Sequence, residues 1–229
     1  MRDLTQGSIP RHILRMAAPM AVGMLFQSAY YFVDLSFVGR LGDAAIAGVG
    51  TAGNLQLMVM AVSQVLAVGT MVLVSHAAGR KDAEAGTLAY NQSLGLAALT
   101  AVLTLVLGYT AGFAWVRAIA ADARTAELGV AYLAWFLPAL ALQFPLGAMM
   151  STLRATGIAQ PTMVIQVATV VLNAVLAPVL IAGWGTGHPL GVSGAAIASD
   201  LALVVAIGLA LFYFKRLEYF VRFDANRLR

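Results

Sequence analysis

Long apolar runs, separated by short polar stretches, divide this chain into six segments that are each long enough to cross a membrane. About 20 mostly apolar residues cross the hydrocarbon layer as a helix. The six segments lie within residues 13–38, 44–75, 89–116, 128–153, 161–182 and 192–214. The pattern predicts an all-α membrane protein with a six-transmembrane-helix bundle at 13–214, an N-terminal segment at 1–12 and a basic tail or linker at 215–229.

Composition supports a membrane protein and excludes several other classes. Hydrophobic residues make up 61% of the 229 residues and charged residues only 10%, against about 25% charged in an ordinary soluble domain. A cytosolic enzyme, a secreted domain and a nucleic-acid-binding module are therefore excluded, and no nucleic-acid partner is expected. There is no cysteine, and the three histidines are far apart, so we predict neither a disulfide nor a histidine-built metal site.

One short motif raises the question of catalysis. Residues 191–194 read Gly-Val-Ser-Gly and resemble the serine motif of rhomboid-type intramembrane proteases. The serine of such an enzyme needs a histidine base, which that family supplies from a later helix. No histidine follows Ser193 in this chain, so we predict no catalytic residue and no enzymatic activity.

The basic residues predict how the segments are oriented. Arginine and lysine accumulate in cytoplasmic loops of membrane proteins. With the N-terminus in the cytoplasm, eleven basic residues fall on the cytoplasmic side and three on the other side. The sequence therefore predicts a multi-pass protein of the plasma (inner) membrane, with both termini cytoplasmic.

The first span carries a carboxylate together with other polar side chains. Gln27, Tyr30 and Tyr31 precede Asp34 by seven, four and three residues, which places all four on one helical face. A carboxylate at the outer interface can be satisfied by water or by an arginine. A buried carboxylate can instead exchange a proton for a cation, and this second interpretation gives it a function.

Two later spans carry polar groups that could face the same interior. Asn173 lies midway along the fifth span, with Thr169 and Gln166 on its face. Its amide can coordinate a cation or hydrogen-bond another helix, and for a lone asparagine the second role is the commoner one. Gln143, between two prolines of the fourth span, is expected to face this interior.

Asp200 follows a run of small residues at 194–199 near the start of the sixth span. A helix that begins near Val192 places Asp200 about 12 Å along the helix axis. A later helix start would instead make Asp200 a capping residue near the surface. The sequence leaves both alternatives open.

Five short stretches follow one another in a specific order and spacing. They are Ala18-Pro19 with Asp34; residues 38–42 with 44–47; residues 79–82; Leu-Arg-Ala-Thr-Gly at 153–157 with Gln-Pro-Thr-Met at 160–163; and Asn173 with 178–181 and 191–196. Together they resemble the N-terminal half of a transporter of the MATE (multidrug and toxic compound extrusion) family. The resemblance covers most of the chain.

This resemblance implies one six-helix lobe of a two-lobe antiporter. Such a transporter exports amphipathic or cationic compounds in exchange for H⁺ or Na⁺ and uses no other cofactor. By resemblance, Asp34 would be the first-helix carboxylate of the cation site and Asn173 its amide, and Ser199 stands where many members have threonine. We expect the substrate cavity to be lined by Gln27, Tyr30, Tyr31 and Gln143.

The chain also departs from the family pattern. Ala177 stands where many members have an acid, four residues after the asparagine. Our hypothesis is that Asp200 replaces this acid and favours protons over sodium. Apart from sodium at Asp34 and Asn173, we predict no metal site.

The resemblance covers only half of a family member, so the expected partners include a second six-helix lobe as well as the lipid bilayer and small amphipathic or cationic substrates. That lobe could lie in the same polypeptide or in a second copy. One alternative is a truncated or half-size subunit that is inactive alone. Another is a lipid-linked sugar flippase of the same superfamily, which should line its cavity with several basic residues. We expect none deep in a span, and this favours the exporter.

Overall fold

The computed structural model describes residues 9–184, 187 and 189–216. In the first helix the side chains of several residues lie outside this description, among them Gln27, Tyr30, Tyr31 and Asp34. The described chain is helical apart from short turns. In order, its helices are α1 (Ile9–Gly39), α2 (Asp43–Gly79), α3 (Ala83–Leu107), a π-helical turn (Gly108–Gly112), α4 (Phe113–Ile119), α5 (Ala123–Ala155), α6 (Gln160–Ala182) and α7 (Val192–Arg216).

The predicted all-α membrane fold is confirmed. Within the described residues, five stretches are long and apolar enough to cross a membrane, namely α2, the continuous run Ala83–Ile119, α5, α6 and α7. The backbone of α1 spans 31 residues, or about 46 Å at the rise of an α-helix. The third span is longer than the predicted 89–116, because α3, the π-helical turn and α4 follow one another without a break.

Helix α5 lies at the centre of the bundle and packs against α2, α3 and α7. Its large side chains Leu133, Leu137, Leu140, Phe144 and Leu153 are all at most 1% exposed. Helix α1 packs mainly on α6. A helix that other helices surround in this way fixes the positions of all its neighbours.

Small residues allow the helices to approach closely. A Cβ atom on Gly129 of α5 would lie 2.9 Å from the carbonyl oxygen of Gly48 in α2 and 2.8 Å from the Thr51 hydroxyl. On α7, buried alanines recur every four residues at 198, 202, 206 and 210. Because lipid is as apolar as the helix surfaces, such close van der Waals packing takes over much of the role that hydrophobic burial has in water.

A proline in α5 is matched by a tyrosine from the π-helical turn. Pro138 has no N–H, so the carbonyl of Ala134, four residues earlier, loses its helical hydrogen bond. The hydroxyl of Tyr109 donates to that carbonyl at 3.0 Å. The π-helical turn therefore supplies the hydrogen bond that the proline removes from α5.

Aspartates cap the two helices that follow polar turns. The backbone N–H of Ala85 donates to Asp82 at the start of α3. At the start of α5, Asp122 accepts from the backbone N–H of Thr125 at 2.7 Å and from its hydroxyl at 3.0 Å. These hydrogen bonds, the backbone one first, hold the pKa of Asp122 below its ordinary value because they stabilise the ionised carboxylate.

Candidate functional site

A cavity of about 330 Å³ lies between α2, α5, α6 and α7. Its volume is within the range of small-molecule sites, toward the lower end. Its wall combines methionine and leucine side chains with amides and hydroxyls. The polar lining residues are Gln56, Ser63, Gln64, Gln143, Arg154, Gln166, Thr169, Asn173 and Ser199.

Two of the predicted site residues meet in the wall of this cavity. The Asn173 amide of α6 donates to the hydroxyl of Ser199 in α7 at 3.2 Å, and this hydroxyl donates to the carbonyl of Ala195 at 3.2 Å. Asn173 is 1% exposed and Ser199 3% exposed. The amide oxygen of Asn173 is buried and accepts no hydrogen bond within the described part of the chain. An acceptor left in this state is costly unless a ligand, an ion or water occupies it.

Asp200 takes the deeper of its two predicted positions. Because α7 begins at Val192, Asp200 lies eight residues inside the helix, and the capping alternative is wrong. Its carboxylate does not line the cavity but faces the backbone of α5 at Ala139. One of its oxygens is buried, with no hydrogen-bond partner among the described residues. Consecutive residues on a helix point about 100° apart, so Ser199 faces α6 while Asp200 faces α5.

Gln143 lines the cavity, together with two glutamines of α2 that are not among the predicted site residues. Gln56 and Gln64 both reach the cavity wall. They are eight residues apart, a little over two helical turns, so they share one face of α2. That spacing was visible in the sequence, but nothing in it showed that this face of α2 turns toward α5.

Arg154, at the end of α5, also lines the cavity. It is half-buried near the end of α5. Its guanidinium donates to the hydroxyl of Ser151 at 3.2 Å. The sequence analysis counts this residue among the eleven basic residues on the cytoplasmic side.

Four predicted residues cannot be placed in the site. The side chains of Gln27, Tyr30, Tyr31 and Asp34 lie outside the described residues, although their backbone belongs to α1. Helix α1 does approach the cavity lining, since the backbone at Gly23 contacts the side chain of Gln166. A Cβ atom at Gly23 would clash with that side chain.

The polar groups of the cavity wall are mostly neutral amide and hydroxyl oxygens. Amide, hydroxyl and carboxylate oxygens are the ligands that hard cations prefer. Among the described residues, no three histidine, cysteine or carboxylate side chains lie together as a metal site. The chemistry available in the described wall is hydrogen bonding and weak cation coordination by oxygen.

Known proteins of similar sequence are membrane transporters. The MatE family model matches residues 19–179. A probable multidrug resistance protein, NorM, from Deinococcus radiodurans is 29% identical over 201 residues, which cover 87% of this chain and 44% of that protein. The chain spans about half the length of the curated relatives it matches.

Solved structures show the same relation. The outward-facing conformation of a multidrug resistance MATE family transporter of the MOP superfamily aligns with a TM-score of 0.88 and 27% identity, over 97% of this chain and 49% of that one. A MOP superfamily transporter from Pyrococcus furiosus aligns with a TM-score of 0.86 and 27% identity, over the same shares. The predicted resemblance and the one-lobe fold are thus confirmed, and at the family level these relatives are transporters and not enzymes.

Proposed function

Since this chain belongs to the MATE transporter family, we propose that it forms one six-helix lobe of a cation-coupled antiporter that exports amphipathic or cationic compounds. The lobe lies in the plasma (inner) membrane with both termini in the cytoplasm. It works with a second six-helix lobe, in the same polypeptide or in a second copy, that completes the substrate path.

The observation that carries this proposal is the pair formed by Asn173 and Ser199. The pair places a buried amide oxygen, which has no hydrogen-bond partner among the described residues, in the wall of a cavity large enough for a small molecule. An oxygen in this position can accept a hydrogen bond from a proton donor or coordinate Na⁺. If the cation binds this site in one conformation of the transporter and not in the other, its binding can drive the change in which side of the membrane the substrate path opens to.

Asp200 and Asp34 supply the charge that such coupling needs. A carboxylate inside the bilayer is costly unless a proton or a cation neutralises it. Asp200 follows Ser199 directly, so any tilt of α7 moves both the carboxylate and the hydroxyl bonded to Asn173. We therefore assign Asn173, Ser199 and Asp200 to the cation or proton site, with Asp34 as its carboxylate on α1.

Transport by the native polypeptide that carries this chain tests the proposal. The protein is reconstituted into liposomes, and efflux of the cationic dye ethidium is followed under an imposed H⁺ or Na⁺ gradient. We expect Asn173→Ala and Asp34→Asn to reduce ion-driven transport about tenfold or more. Asp200→Asn should abolish H⁺-driven transport. Two exposed residues at the start of α2 and in its first half give matched controls, Asp43→Asn and Asn54→Ala, which should transport normally.

Two results would contradict the proposal. Wild-type protein that moves ethidium at the same rate with and without an ion gradient is not an antiporter. Full H⁺-driven transport by Asp200→Asn would remove this residue from the coupling site.

A flippase for lipid-linked sugars is the less favoured function. The polyanionic head group of such a lipid needs several basic side chains in the cavity. Among the described lining residues only Arg154 is basic, and this favours the exporter.

A further inference from the structure

The cavity described above has one charged end. Along α5 its lining runs from Phe136 through Gln143 to Arg154, about 27 Å at the rise of an α-helix. Because α6 returns antiparallel to α5 after a short turn, Arg154 lies near that turn. Asn173 lies about 20 Å further along α6. The charge and the Asn173–Ser199 pair therefore lie at different depths in one elongated cavity.

The guanidinium of Arg154 is turned toward the middle of α5. It donates to Ser151, one helical turn earlier, whose side chain is only 1% exposed. An arginine at the end of a transmembrane helix usually extends the other way, toward water and lipid head groups. Here the side chain instead folds back along the helix and lines the cavity.

No described residue neutralises this charge. The cavity lining contains no carboxylate in the part of the chain that the structure describes. The ion pair seen in that part joins Arg124 to Glu127 at the opposite end of α5. Arg154 thus faces the cavity, and the hydrogen bond that its five N–H donors make to the described residues is the one to the neutral Ser151 hydroxyl. A half-buried guanidinium in this state is stabilised strongly by an anionic oxygen group.

We propose that the Arg154 end of the cavity is a subsite for an anionic oxygen group, a carboxylate or a phosphate, carried by an amphipathic ligand. Its apolar body lies along Met60, Leu146, Met150 and Leu203 of the same wall. This inference rests on the proposed transport function and adds compounds that carry an acid group, zwitterions included, to its substrates. The group can belong to a soluble amphiphile or to the head group of a bilayer lipid.

Binding of a matched pair of fluorescent probes tests the subsite. The native polypeptide is placed in nanodiscs of phosphatidylcholine and titrated with dansylaminoundecanoic acid and with its uncharged methyl ester. We expect wild-type protein to prefer the acid. Arg154→Gln should weaken binding of the acid about tenfold and leave the ester unchanged, and Arg154→Lys should keep part of the preference. The control Arg80→Gln removes an exposed charge at the end of α2 and should change neither.

A second arm identifies the source of the anion. Nanodiscs that also contain phosphatidylglycerol should weaken binding of the acid in wild-type protein, and not in Arg154→Gln, if the lipid head group occupies the subsite. Unchanged binding identifies the soluble amphiphile. Both results support an anion subsite at Arg154.

Two outcomes would overturn the inference. One is equal binding of acid and ester by wild-type protein; the other is an equal loss of both in Arg154→Gln, which would mark a structural role. The transport assay separates this test from that of the proposed function. If the protein prefers the acid through Arg154 but shows no ion-driven transport, the subsite is supported and the antiporter function is contradicted.

Discussion

Helices α3 and α5 are similar in sequence character and opposite in their surroundings. Each belongs to a run of more than 30 residues that is long and apolar enough to span a membrane. In the most apolar window of α5, 56% of residues are buried inside the protein, against 11% in the run Ala83–Ile119. Yet α5 is the less apolar of the two. The comparison teaches that hydropathy places a helix in the membrane but does not place it at the centre of the protein.

The reason lies in what each surface contacts. Helix α3 presents leucines and valines to lipid, which is as apolar as the side chains themselves. Helix α5 is surrounded by other helices, so Gln143 and Arg154 can face a cavity between helices. The two prolines are tolerated as well, and a tyrosine hydroxyl satisfies the carbonyl that Pro138 leaves without its helical hydrogen bond. The interior helix therefore tolerates polarity that the lipid-facing helix cannot.

The largest effect should come from truncating the same side chain in the two helices. Leu133→Ala in α5 removes a side chain that is 0% exposed, and we expect a loss of about 3 kcal/mol in unfolding free energy because a cavity remains. Leu103→Ala in α3 changes a side chain that is 50% exposed and should cost about 0.5 kcal/mol. Unfolding by increasing detergent denaturant, followed by circular dichroism, measures both. Equal losses would show that α5 is not the structural centre.

A glycine pair should give changes of opposite sign. Gly129→Ala places a methyl group 2.8 Å from the Thr51 hydroxyl and should destabilise by about 2 kcal/mol through overpacking. Gly69→Ala on the exposed side of α2 meets no atom within 4 Å and should stabilise by up to about 1 kcal/mol, since alanine favours the helix. The same unfolding titration reports both. Stabilisation by both variants would mean that α2 and α5 do not cross at Gly129.

The contact between the π-helical turn and the proline of α5 should contribute less. Tyr109→Phe removes the donor to the Ala134 carbonyl and should cost about 1 kcal/mol. Pro138→Ala returns an N–H to α5 that can satisfy the same carbonyl, so Tyr109→Phe should cost much less in that background. A double-mutant cycle measures the difference. Additive effects would show that the tyrosine and the proline act independently.

The smallest effect should come from the exposed cap of α5. The lowered pKa of Asp122 means that the folded protein favours the ionised carboxylate. Its contribution to stability is complete above the ordinary carboxyl pKa and is lost as pH falls through the lowered value. Melting temperatures measured down to this acidic range should fall more for wild-type protein than for Asp122→Asn. Identical pH profiles would show that the capping carboxylate contributes nothing to the stability of the folded protein.

Much of the fold could be predicted because apolar run length encodes helix length. Each of the six predicted spans lies within one continuous helical stretch when Ala83–Ile119 is taken as a single stretch, and the main departure is the third span. There the residues before Ala89 are polar enough to resemble a loop, yet Asp82 caps a helix that begins at Ala83. A local hydrogen bond at the helix start outweighed the polarity of its first turn.

Less of the candidate site could be predicted. Helical periodicity put Gln166, Thr169 and Asn173 on one face, and all three line the cavity. Periodicity could not show which helix that face meets, so the bond from Asn173 to Ser199 was not foreseen. The same limit explains why Gln56 and Gln64 were not predicted to line the cavity. Their spacing places them on one face of α2, but it does not show that this face turns toward α5.

The sequence by itself determined that this chain crosses the membrane repeatedly, where its helices lie, and that it resembles the MATE family. The tertiary structure alone decided that α5 is the central helix, that Asn173 reaches Ser199, and that Arg154 turns into the cavity. The physical reason is that transfer into lipid depends on the composition of each segment alone. The choice of neighbours depends on close van der Waals fit and on hydrogen bonds between helices, and these exist only once the helices have packed.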